Sequence, residues 1–135
     1  MRNQTEDLVR RYYAAFNTRD WIGMVACLSS DVIHDVNQGG RHQGKRHFSS
    51  FLAHMDKCYR EELRDIVILS SADGANAAAE FVVHGAYLAT DEGLPPANGQ
   101  NYVLPAGAFL EVKDGLISRV STHYNLQDWL KQVGA

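Results

Sequence analysis

Asp35 and Asn37 sit two residues apart in the segment DVIHDVNQGGRHQG, residues 31–44. In an extended strand that spacing puts both on one face with Ile33, while Val32, His34 and Val36 take the other. A carboxylate and an amide beside an isoleucine are unusual for a sealed core. They suit the wall of a small-molecule pocket. Desolvation there raises a carboxylate's pKa toward working pH, which fits a base that removes a proton beside a carbonyl. The resulting enolate oxygen needs a hydrogen-bond donor. Tyr12, Tyr87, Tyr102, Tyr124 and Asn37 are the candidates. Two plainer readings stay open. Asp35 can be a strand-end carboxylate that binds the Gly39-Gly40 turn or pairs with Arg41, and Tyr12 can be a core tyrosine with a backbone partner.

Other chemistries find little support. His42 and His47 straddle a loop and a helix start, and no H-x-E or H-E-x-x-H spacing occurs, so no metal is expected. Neither a G-x-S-x-G nucleophile turn nor a phosphate-loop lysine after Gly39-Gly40 is present, so no cofactor is expected either. Cys27 and Cys58 fall at apolar helix positions and read as buried thiols in a reducing compartment.

The elements that must position these groups follow from periodicity. A helix is expected over 5–17, with Thr5 as cap and Leu8, Tyr12 and Phe16 on its apolar stripe. A short second helix starts at Asp20 and carries Trp21, Met24 and Val25. A third, over 45–59, buries Phe48, Phe51, Leu52, Met55 and Tyr59. Strands follow over 62–70, 76–89, 102–113 and 116–124. In the second of these Phe81, Val83, Gly85 and Tyr87 share one face, and Glu80 and His84 share the other. Asp114-Gly115 signals a tight hairpin. The polar loop 90–101 is long for a hairpin connection and hints at a lid or an interface. Asn125 caps a short terminal helix. Helices gathered at one end and strands at the other imply an α+β fold, its curved sheet closed by helices into a cone with an open mouth.

The bulk properties agree. The 135 residues make one domain, 1–135, with 45% hydrophobic and 21% charged residues and a net charge of −3. No basic stripe offers nucleic acid a footprint, and no apolar run suggests a leader or a membrane span. A cytoplasmic protein is the default expectation.

RYYAAFNTRDWIGMVACLSSDVIHD, the hairpin GAFLEVKDGLISRV and the order of elements between them resemble the NTF2-like superfamily, and most of all its SnoaL-like and ketosteroid-isomerase-related members. The resemblance covers nearly the whole chain. It implies a cone-shaped α+β barrel, with three N-terminal helices packed on a curved, mostly antiparallel sheet and a short C-terminal helix. It also implies a homodimer through the outer sheet face. By that match Tyr12 is the substrate-oxygen donor and Asp35 the base. Gly107 stands where the isomerase has a protonated aspartate, which removes half of the oxyanion hole and weakens the case for steroid isomerisation. Asn37, Trp21, Met55, Tyr59, Phe81, Val83, Tyr87, Gly107, Phe109, Val120 and Tyr124 would line the pocket of a small hydrophobic molecule. Isomerase or polyketide-cyclase chemistry is the leading expectation. A non-catalytic binding protein for a hydrophobic metabolite comes second. Below it stand an epoxide hydrolase, for which Arg119 lies on the wrong strand face, and a dehydratase.

Overall fold

A computed structural model describes residues 1–37 and 39–134. The chain runs α1 (Arg2–Asn17), α2 (Trp21–Ala26), β1 (Leu28–Asp35), β2 (Arg41–Gln43), α3 (Lys45–Cys58), β3 (Tyr59–Ser70), β4 (Asn76–Tyr87), β5 (Gln100–Lys113), β6 (Leu116–Tyr124) and α4 (Leu126–Gly134). One six-stranded sheet has the order β2-β1-β6-β5-β4-β3. Every neighbouring pair is antiparallel except β1 with β6. The α+β expectation holds. The helix arrangement differs: two helices precede the sheet, and α3 follows β1 and β2. Between β1 and α3 the Gly39-Gly40 segment adds a short strand. Val36 N–H donates to Gly40 and Gly39 N–H to Val36, which turns Arg41–Gln43 back onto β1.

Local chemistry explains the element ends. Asp20 caps α2 as expected, its carboxylate accepting from Gly23 N–H at 2.9 Å. A Cβ on Gly23 would lie 2.3 Å from that carboxylate, so the cap itself requires glycine there. Thr5 is not a cap. The first helix begins at Arg2, and the buried Thr5 hydroxyl donates instead to Gly74 C=O at 2.6 Å, tying α1 to the β3–β4 turn. At its other end, Asn17 accepts from Leu63 N–H and donates to Leu63 C=O, fastening α1 onto β3. The Asp114-Gly115 hairpin forms with both residues at positive φ, the geometry that matches strand twist.

The third helix passes into β3 without a loop, because its cap Tyr59 is already extended. That strand therefore starts three residues earlier than its branched residues suggest. Leu8, Val9, Tyr12, Tyr13, Phe48 and Leu52 from the helices meet Leu63, Phe81, Leu104, Leu110 and Val120 from the sheet in one core. Among the described residues no helix is long and apolar enough to cross a membrane.

Candidate functional site

Helices α1 and α3 and the inner face of the sheet enclose a cavity of about 520 Å³. That size falls in the range of small-molecule sites, roughly 300–1,000 Å³. Its walls are mostly aromatic and aliphatic, with Phe48, Phe51, Phe81, Val83, Leu104 and Val120 among them. Residues from β3 and from the end of β1, far apart in strand order, face the same space, so the sheet must curve around it.

Polar side chains interrupt this lining at several points. Glu61 on β3 shares the inward face with Tyr59 and Leu63. Its carboxylate accepts a hydrogen bond from the Tyr102 hydroxyl at 2.5 Å. Burial pushes the Glu61 carboxyl above the usual carboxylate range, and the Tyr102 bond offsets only part of that. Gly85 makes the pair possible. It lies between Glu61 and Tyr102 in register, and a Cβ there would come 2.3 Å from the tyrosine ring. Without a side chain at that point, the ring lies over the strand and reaches the carboxylate.

His34 is the second polar group. It is buried, and its ring packs against Phe48 and Phe51 at centroid distances of 4.7 and 4.6 Å. Burial, helped by His42, lowers its pKa to about 4 and keeps the imidazole neutral at pH 7. Near it, Asn37 donates to Tyr124 C=O at 3.4 Å. The buried Tyr13 hydroxyl has no hydrogen-bond partner among the described residues. Desolvation holds the Tyr12 hydroxyl far above its ordinary pKa, so it stays protonated and can only act as a neutral donor or acceptor.

At the edge of the cavity, the segment between β4 and β5 brings in Asp91. One oxygen meets His54 Nε2 at 2.8 Å and the other accepts from the Tyr59 hydroxyl at 2.7 Å. Tyr87 braces that segment, accepting from Asp91 N–H at 2.9 Å and donating to Pro95 C=O at 2.6 Å. The long loop anticipated between these strands thus forms part of the cavity wall.

The expected site residues divide clearly. Tyr12, Asn37, Met55, Tyr59, Phe81, Val83, Val120 and Tyr124 all line the cavity. Asp35 does not. Its carboxylate faces away and is held by Arg41 Nε at 2.6 Å and Arg119 Nε at 2.9 Å. The hydrogen bond from Arg41 leads the effects that pull its pKa down to about 2. A carboxylate so stabilised in its charged form is a poor base, and the pairing with Arg41 is the plainer of the two sequence readings. Strand parity is the physical reason: Val32 and His34 form the buried face of β1, so Asp35 takes the other.

Four further expectations need correction. Gly107 and Phe109 alternate with the buried Tyr102, Leu104, Ala108 and Leu110, and so face outward; Phe109 is 57% exposed. The cavity-facing positions on β5 are Leu104 and Ala106. Tyr87 lies behind the wall, and Trp21 borders a separate crevice of about 40 Å³ with Phe16 and Arg19. Arg119, by contrast, lies where its strand parity put it, paired with Asp35 and Glu111 outside the cavity, which leaves epoxide-type chemistry without its arginine inside.

Glu61 and Asp91 were not singled out from the sequence. The signal for Glu61 was available in the alternation Tyr59, Glu61, Leu63, a carboxylate on an apolar face, but starting the strand at 62 hides it. Asp91 carries no local signal, since it is one acid in a polar loop. His34 had a signal of the same kind, an imidazole between two valines.

The SnoaL-like domain family profile matches residues 9–120. A candidate polyketide cyclase from Pseudomonas putida is 59% identical, with a TM-score of 0.95, over 96% of this chain and 97% of its own. Another from Silicibacter is 56% identical, with a TM-score of 0.95, over 97% and 96%. A candidate ketosteroid isomerase from Kribbella flavida is 25% identical, with a TM-score of 0.65, over 92% and 79%. No protein of curated function matches. With the profile spanning most of the chain and the fold shared along its length, the chain belongs to the SnoaL-like domain family, within the NTF2-like fold.

Proposed function

We propose that the cavity binds a small, largely apolar molecule bearing a carbonyl and moves a proton beside that carbonyl, as an isomerase or a polyketide-cyclase-like enzyme does. The observation that carries this reading is Glu61, a carboxylate on an apolar cavity wall whose pKa burial raises. Raising a carboxyl's pKa makes it a stronger base toward a carbon acid. The chemistry expected of Asp35 therefore passes to Glu61. Tyr102 orients the Glu61 carboxylate from behind. The enolate oxygen formed on proton removal would be met by neutral donors, the Tyr12 and Tyr124 hydroxyls and the His34 imidazole. Two similar proteins being candidate polyketide cyclases supports the same class of carbon-acid chemistry.

A panel of apolar β-keto compounds in D₂O, followed by NMR, tests this. The wild-type protein should exchange the α-proton, and Glu61→Gln should slow exchange by about 10²–10⁴-fold, the usual contribution of a positioned base. Equal exchange by both proteins would remove Glu61 from the mechanism. Saturable binding with no exchange for any compound would favour the second reading, a binding protein for a hydrophobic metabolite, which the predominantly apolar lining also fits.

The proposal includes a homodimer through the outer sheet face. Val67, Leu69, Val103 and Phe109 are about half exposed or more and lie on that face of β3 and β5. Sedimentation of Phe109→Glu against wild type checks it: a dimer should dissociate, and a wild-type monomer would end the idea.

A further inference from the structure

His54 and Cys58 stand four residues apart in α3, so one helical turn brings both to the same face. His54 Nε2 and Cys58 Sγ are 3.9 Å apart. Asp91 reaches them from the segment after β4, its Oδ1 2.8 Å from His54 Nε2. The ligand atoms of all three lie within 4.8 Å of one another. Imidazole, thiolate and carboxylate together form a zinc donor set. Around a tetrahedral zinc the nitrogen and sulfur stand about 3.5 Å apart, and the nitrogen and oxygen about 3.3 Å, from bond lengths of roughly 2.0–2.3 Å. The nitrogen–sulfur separation is wider and the nitrogen–oxygen separation narrower than those values, each by about half an ångström, with the sulfur and the carboxylate oxygen within 4.8 Å of each other.

We propose that His54, Cys58 and Asp91 form a zinc site at the edge of the cavity, with its fourth position open to the cavity for water or a substrate oxygen. The support around the three ligands argues against chance proximity. Leu88 and Ala89 N–H groups donate to Cys58 C=O at 2.7 and 3.3 Å, which ties the segment bearing Asp91 to the helix bearing the other two. Tyr59 donates to Asp91 Oδ2, and Asp91 N–H donates to the Tyr87 hydroxyl. Asp91 is thereby fixed with Oδ1 aimed at the imidazole, the kind of outer support that orients metal-binding carboxylates. His54 and Asp91 line the cavity while Cys58 lies behind them, so the open side of the triad faces the cavity. Three protein ligands with one open position is the arrangement of reactive rather than purely structural zinc sites. Cys58 would bind as the thiolate, so loading with metal releases its proton. A helical H-x₃-C pair with a distant aspartate lies outside the common local spacings, which is why the sequence alone does not flag it.

The site stands independently of the role given to Glu61, and its test reads metal rather than turnover. Chelator-stripped protein is titrated with Co²⁺ near neutral pH. One equivalent should bind with a thiolate-to-cobalt charge-transfer band in the near ultraviolet and visible bands of a four-coordinate ion, and Zn²⁺ should displace it. Cys58→Ser should lose the charge-transfer band, and Cys27→Ser should keep it. His54→Gln, at a half-exposed position, should weaken binding by at least about tenfold. Circular dichroism checks that Cys58→Ser folds; if it does not, the His54→Gln titration decides alone. Absence of a thiolate band in wild type, its survival in Cys58→Ser, or unchanged affinity in His54→Gln would each overturn the site.

Discussion

Asp35 and Glu61 are both carboxylates on strands of the same sheet, on opposite faces. Asp35 is gripped by Arg41 and Arg119 on the outside, with its pKa pulled down to about 2. Glu61 faces an apolar cavity with one tyrosine for company, and its pKa is pushed up. The same functional group becomes a structural anion in one place and a candidate base in the other. The difference is neither the residue type nor its strand. It is which partners share its face: two guanidiniums supply countercharge and hydrogen bonds, while a hydroxyl in an apolar wall supplies one hydrogen bond and no charge.

The contrast can be broken most decisively at Glu61 and Asp35 themselves. If Glu61→Gln slows α-proton exchange by about 10²–10⁴-fold, Asp35→Asn should leave the rate within about threefold, because its side chain never reaches the cavity. The reverse pattern would exchange their roles. Next in size is Gly85→Val. The added side chain would displace the Tyr102 ring from Glu61, and such overpacking costs about 2–3 kcal/mol. Thermal unfolding measures that cost, and an unchanged midpoint would show that the ring does not need the gap.

A pH titration of stability sharpens the same contrast between faces. His34 has a folded pKa of about 4 against an ordinary 6.5, so protonation favours the unfolded chain. Its contribution is whole above pH 6.5 and is lost as pH falls through the folded value near 4. The wild-type protein should lose on the order of 2 kcal/mol across that window. Denaturant unfolding of His34→Gln should show a flatter slope there. The smallest effect belongs to the outer face. Asp35→Asn should cost about 1 kcal/mol at pH 7, since Asp35 is partly screened by water. With its pKa depressed from 3.8 to about 2, that contribution is present above pH 3.8 and fades as pH falls toward 2. A stability loss in Asp35→Asn that persists at pH 2 would point to packing rather than charge.

Much of the architecture follows from short-range signals. Alternation marks β4 to β6, apolar stripes at helical spacing mark α1 and α3, Asp20 caps α2, and Asp114-Gly115 closes a hairpin. Each of these rests on interactions within a few residues, and local sequence is enough to specify them. Part of the expected lining lies on the cavity wall for the same reason: on β4 and β6 one strand parity places Phe81 with Val83 and Val120 with Tyr124. Errors arise where parity depends on a distant partner. β1 offers two faces of nearly equal apolarity, and only its packing against Phe48 and Phe51 assigns His34 inward and Asp35 outward. Gly107 and Phe109 turn outward because the register of β5 between β4 and β6 puts Leu104 and Ala106 on the inner side. The sequence by itself determined the elements, their order and the stock of carboxylates, imidazoles and hydroxyls. Only the tertiary structure decided which of them share a dry wall and which meet an arginine. Desolvation and countercharge act between residues far apart in the chain, and neither exists until the sheet has closed around its core.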